Sequence, residues 1–159
     1  MKREIKFRGL PICKEKDELD YINFDFDRDG NFAVGFYEDG CIIGNVAEAS
    51  DEYICPEFWV AVDENTVGQY TGLKDKNGRE IYEGDIVSFG SVWNNGDNED
   101  IDEEFHIGVV EYDPNYAVYN VNCEESGERH FMFMDVVNYD GFGVIGNIFE
   151  NPELLEGKQ

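Results

Sequence analysis

Two stretches of the chain carry residue types at spacings that known chemistry uses. Asp25-Phe26-Asp27-Arg28-Asp29-Gly30 sets three carboxylates at alternate positions before a glycine, as the first half of a calcium loop does. Its twelfth position, where a bidentate carboxylate would complete the shell, is Phe36, and its flanks alternate like strands where helices are required. A solvated hairpin tip is the expectation, with no metal. Gly141-Phe142-Gly143-Val144-Ile145-Gly146 spells G-x-G-x-x-G, but no helix follows whose N-terminus would hold a pyrophosphate, so a bent strand is expected. His106 and His130 fall in separate hairpins, with no Cys or His at zinc spacing. Ser, Cys, His and acids occur without a nucleophile motif, and so many acids give neighbouring carboxylates by chance. No catalytic residue, cofactor or metal is assigned, and the protein is not expected to be an enzyme.

The charge narrows the partners. The 159 residues carry a formal charge of −24, distributed as +3 over residues 1–10, −12 over 11–64, −1 over 65–90 and −14 over 91–159. Affinity for nucleic acid is mostly neutralised phosphate, so direct binding of nucleic acid is excluded, and an anionic lipid surface is excluded with it. Basic protein partners, or self-association through the less charged centre, remain. The 23 aromatic residues exclude disorder, because rings in that number need a core. Cys13, Cys41, Cys55 and Cys123 contain no C-x-x-C pair and read as small buried apolar groups in a reduced, cytoplasmic protein. No apolar run is long enough to cross a bilayer as a helix.

Short alternating runs separated by turns predict the elements. Residues 2–8 alternate as a strand with Ile5 and Phe7 inward and cations outward; Gly9 and Pro11 end it. Runs 21–26 and 32–37 form a hairpin, followed by a turn at 38–40, a strand at 41–46, a brief helical turn within 47–52 and a strand over 53–62. In the centre, 67–73 and 80–87 flank Asn77-Gly78, the strongest turn signal in the chain, where both residues tolerate positive φ. Residues 90–104 read as a long exposed loop, 105–112 and 116–123 as a hairpin around Asp113-Pro114-Asn115, and 129–134 and 142–149 as further strands. Asn151-Pro152-Glu153 has the grammar of a capped helix start, docking Leu154 and Leu155. The fold expected is mainly β with minor helix: an N-terminal β-rich region over 1–64, then the central hairpin and a small SH3-like β-barrel over 65–159.

The central run Thr66-Val67-Gly68-Gln69-Tyr70-Thr71-Gly72-Leu73-Lys74-Asp75-Lys76-Asn77-Gly78-Arg79-Glu80-Ile81-Tyr82-Glu83-Gly84-Asp85-Ile86 resembles, without a gap, the signature of the YopX-like family of phage and prophage proteins. The opening Arg3 to Gly9 and the closing Val144 to Leu155 resemble that family's two ends. The resemblance implies a phage or prophage accessory protein, in the cytoplasm of a host bacterium, and brings no assigned reaction. Polar and aromatic groups concentrate where charge is lowest, so Gln69, Tyr70, Thr71, Lys74, Arg79, Tyr82, Glu83 and Asp85 are the candidates for a subunit interface or ligand site. The glycines and Asn77 are assigned to turns. The function expected is a noncatalytic, homo-oligomeric binding module engaging a basic host or phage protein, in host takeover or counter-defence. The alternative is a nucleotide or nucleotide second messenger, stacked on Tyr70 and Tyr82 and neutralised by Lys74, Lys76 and Arg79.

Overall fold

The computed structural model describes residues 3–12, 31–94, 101–123, 129–132 and 141–156. The strands are β1 (Phe7–Gly9), β2 (Ala33–Glu38), β3 (Cys41–Ala49), β4 (Ile54–Ala61), β5 (Gly68–Lys74), β6 (Glu80–Tyr82), β7 (Asp85–Asn94), β8 (Ile101–Asp113), β9 (Val118–Cys123), β10 (Arg129–Met132) and β11 (Gly143–Asn147). A 3-10 turn (Glu64–Thr66) and one short helix, α1 (Glu153–Glu156), complete them. The sheets are antiparallel, in the orders β4-β3-β2-β1-β5-β6 and β10-β9-β8-β7-β11. The chain divides into two compact units, Met1–Gly72 and Leu73–Gln159.

The mainly β class is as expected, and the closed barrel is not. Among the described residues β10 and β11 stand at opposite ends of the second sheet, with no ladder between them. The signature strand β5 pairs instead with β1, through Phe7↔Gln69 and Arg8↔Gly68, so its hydrogen-bonding edge extends the N-terminal sheet. An edge already used cannot also close a barrel.

In the first unit, β2 and β3 meet at Asp39-Gly40, whose φ angles of 43° and 82° suit the right-handed twist of a tight hairpin. β3 continues to Ala49 where a helical turn was expected, because Ser50 Oγ accepts from the N–H groups of Glu52 and Tyr53 and turns the chain straight into β4. Ala33, Ile42, Phe58, Val60 and Val62 form the core, with Phe7, Tyr37 and Val67 packed on it. The Val, Ile and Phe side chains among them each stabilise by roughly 1.5–3 kcal/mol when fully buried. Phe58 lies flat over its cross-strand partner Gly44, where a β-carbon would overlap the ring. The alternation expected for the first strand is corrected. Arg8 is 2% exposed and stacked 4.2 Å from the Phe32 ring centroid, whereas Ile5 is 37% exposed. Successive residues of β1 point to opposite faces and Arg8 and Gly9 are both buried, so both faces are covered there, and Gly9 lies within the strand.

The second unit packs Ile81, Val87, Phe89, Val110, Val121, Cys123 and Phe142 into one cluster. β7 and β8 pair as far as Asn94↔Ile101, so most of the loop expected over 90–104 is ladder. Backbone pairing there does not depend on the apolar pattern from which strands are read. Asp113 turns the chain by accepting from Asn115 N–H at 2.9 Å. The glycine-rich string forms a turn at Gly141 and then β11, which bulges between Val144 and Gly146. α1 forms where expected, but Asn151 Oδ1 accepts from Asn147 N–H at 3.2 Å and so reaches back toward β11.

Candidate functional site

The signature hairpin is built around Asp75. Its Oδ1 accepts the N–H groups of Asn77 and Arg79, each at 2.9 Å, and its Oδ2 accepts Val144 N–H of β11 at 3.1 Å. The turn is closed by Asp75 N–H to the Arg79 carbonyl and Gly78 N–H to the Asp75 carbonyl. This is a wider turn than a two-residue Asn-Gly hairpin, and only Gly78, at φ 82°, takes the left-handed region. One buried carboxylate, 7% exposed, thus fixes both the hairpin tip and its attachment to the last strand.

A second aspartate does the same work one turn later. Asp85, fully buried, accepts Tyr82 N–H at 2.8 Å across the tight turn into β7. Gly84 holds φ 88°, donates to the Val110 carbonyl and accepts from Ile148 N–H, which joins β8 and the end of β11 to the turn. A β-carbon at Gly84 would lie 3.0 Å from the Phe149 ring as well as straining the backbone.

The eight candidate residues therefore separate by position. Gln69, Tyr70 and Thr71 belong to the first unit, and Lys74, Arg79, Tyr82, Glu83 and Asp85 to the second. Tyr70 is 5% exposed, Tyr82 2% and Asp85 0%, which takes all three out of any contact surface. Gln69, Thr71, Arg79 and Glu83 are half-buried, and Lys74 is exposed. Lys6 Nζ lies 5.0 Å from the Tyr70 ring centroid, so this ring already receives a cation from its own unit. With both tyrosines buried, neither offers a free face on which a base could stack. His106 is buried and stacked on Phe89 at 5.2 Å. The calcium-like string 25–30 lies outside the described residues. Among those described, no group of three or more His, Cys, Asp or Glu is placed to hold a metal ion, and no helix is long and apolar enough to cross a membrane. Cys123 is buried as expected, while Cys41 is half-buried and Cys55 exposed, and none of the three forms a disulfide.

The surface that sequence reasoning passed over lies on the first unit. Phe36 pairs across to Ile43, and Ile43 to Trp59, so the three side chains form one row over β2, β3 and β4. Their chain neighbours Tyr37, Ile42, Phe58 and Val60 pack in or on the core, which puts the row on the opposite face. Phe36 and Trp59 are each 64% exposed. Residues 33–66 contain eight Asp or Glu and no Lys, Arg or His. The signal was present in the sequence as Phe36 and Trp59 each in alternation with core positions, but only cross-strand register places them side by side. In the second unit a cleft of about 350 Å³ is lined by Glu111, Tyr112, Asp113, Pro114 and Asn120, an acidic lining unsuited to phosphate.

Comparison with known proteins agrees with the signature. Residues 43–156 match the family model described as YopX protein. A crystal structure of protein EF1440 from Enterococcus faecalis is similar over 96% of this chain and 99% of that one, at 27% identity and a TM-score of 0.52. No curated protein matches. The gapless signature, its two aspartate-braced turns and a family match over most of the chain lead to one statement: this chain belongs to the YopX protein family.

Proposed function

We propose that this protein is a noncatalytic, acidic binding module that engages a basic protein, as an accessory protein of a phage or prophage acting in host takeover or counter-defence. The observation that carries the reading is the Phe36–Ile43–Trp59 row in a stretch with eight acids and no cation. Exposed rings supply contact area that rewards desolvation, and surrounding carboxylates select cationic partners and steer their approach. Homo-oligomerisation remains part of the proposal, through the half-buried and exposed signature residues Gln69, Thr71, Lys74, Arg79 and Glu83.

The test is a paired affinity purification from the host bacterium with the wild-type chain and the double variant Phe36→Ser, Trp59→Ser. Basic proteins should be retained by the wild type at about 50 mM salt, released at about 500 mM, and lost from the variant. Retention of neutral or acidic proteins alone, equally by both chains and at both salt levels, would refute it.

A further inference from the structure

The β3–β4 ribbon outruns its sheet. The β2–β3 ladder ends at Phe36↔Ile43, whereas β3 and β4 stay paired as far as Ala49↔Ile54. Asn45, at φ 47°, and the bulge between Val46 and Glu48 bend β3 just past its last pairing with β2. From Asn45 to Glu57 every residue but Pro56 is exposed, so the two strands form an arm open on both faces. The bridge from Pro11 to Val62 lies beyond the other end of β4.

The two faces of the arm differ in chemistry. Ile54 and Pro56 alternate with the core residues Phe58 and Val60, and their partners Ala49 and Val46 share that face. The core side of the sheet therefore continues along the arm as an uncharged strip, with Val46 62% and Ile54 69% exposed. Carboxylates take the opposite face and the tip. Glu48 accepts from the Tyr53 phenol at 2.8 Å, the Glu57 carboxylate accepts from Asn45 Nδ2 at 3.3 Å, and Asp51 and Glu52 stand in the turn. Residues 45–57 contain these four acids and no cation.

We propose that this arm inserts into a groove of the basic partner, with the strip against an apolar wall and the carboxylates against a cationic one. The inference rests on the acidic-module reading above and adds to it a partner class: a protein whose groove holds single-stranded nucleic acid. Such grooves combine cations for the backbone with apolar and aromatic groups for the bases, and the arm carries the complement of each on its two faces. A flat partner would cover one face only. A second copy of this chain fits poorly, because its own charge of −24 repels the carboxylates of the arm.

The probe is the fraction of host proteins that elutes from single-stranded DNA cellulose, loaded with a fluorescent oligothymidylate at about 50 mM salt and followed by anisotropy. The full chain should displace the oligonucleotide. The double variant Val46→Ser, Ile54→Ser, which leaves the charge unaltered, should need about tenfold more protein or fail. It should keep the wild-type urea midpoint and sedimentation mass, because both substituted side chains are largely exposed. No displacement by the wild type overturns the groove, while the affinity purification above still decides the acidic-module reading. Equal displacement by the variant overturns the arm as the contact. A midpoint lowered as by a core substitution means that the chain's own residues cover the strip, and a mass that falls to that of one chain means that a second copy does; either result overturns the proposal.

Discussion

Removing the Asp75 carboxylate should cost more stability than any other single change at the signature hairpin tip. The carboxylate accepts three backbone N–H groups at 2.9, 2.9 and 3.1 Å while only 7% exposed. A hydrogen bond to a charged group contributes about 1.5–3 kcal/mol net. Asn77 is exposed and Arg79 half-buried, so their amides recover part of the loss from water, whereas the Val144 bond spans 69 positions and holds β11 in place. Asp75→Ala is therefore expected to destabilise by about 3–5 kcal/mol, and Asp75→Asn, which keeps one acceptor oxygen, by about 1.5–3 kcal/mol. Urea unfolding followed by circular dichroism measures both, with Asp113→Ala as a control for an aspartate in an exposed turn, expected to cost about 1 kcal/mol. If Asp75→Ala stays within about 0.5 kcal/mol of the wild type, the hub assigned to this residue is wrong.

Other perturbations have outcomes as definite. Gly44→Ala must displace the Phe58 ring and should destabilise by about 1–3 kcal/mol, read by the same unfolding curves. Gly84→Ala forces a side chain into φ 88° against Phe149, and a loss of about 1–3 kcal/mol is expected in thermal unfolding. The Tyr53 phenol donates to Glu48 Oε1 at 2.8 Å, and this bond, followed by desolvation, raises its pKa above 10.0. Its neutral form is the favoured one, so the bond is intact below pH 10.0 and is lost as pH climbs through the raised value. Ultraviolet titration should place one tyrosine above 10.0 in the wild type and return it toward 10.0 in Glu48→Gln.

Much of the strand inventory was legible because alternation and turn chemistry are local. The Asp39-Gly40 turn, the strands on either side of it, the Asp113 turn and the terminal helical turn needed nothing beyond neighbours in sequence. What could not be read was pairing between distant strands. Nothing near β5 says that its partner is β1, and nothing local says that, among the described residues, β10 and β11 stand at opposite ends of their sheet. Arg8 was misread for the same reason, since its pairing with Val34 brings it over Phe32, a contact between distant segments that alternation alone does not show. The signature was recognisable as a family mark, but its composition resembled a binding surface. Asp75 and Asp85 are polar because they brace turns and strands from within, and Tyr82 is buried beside them. The aromatic row went unread because Phe36, Ile43 and Trp59 become neighbours only through register.

Amide hydrogen exchange of the full chain, with and without a synthetic lysine-rich peptide, tests most directly whether the exposed row of Phe36, Ile43 and Trp59 forms the binding surface. Exchange should slow across residues 33–62, the strands that carry the row. Slowing confined to residues 65–90, with Glu57 and Trp59 unchanged, would move recognition to the signature hairpin and contradict the proposed site.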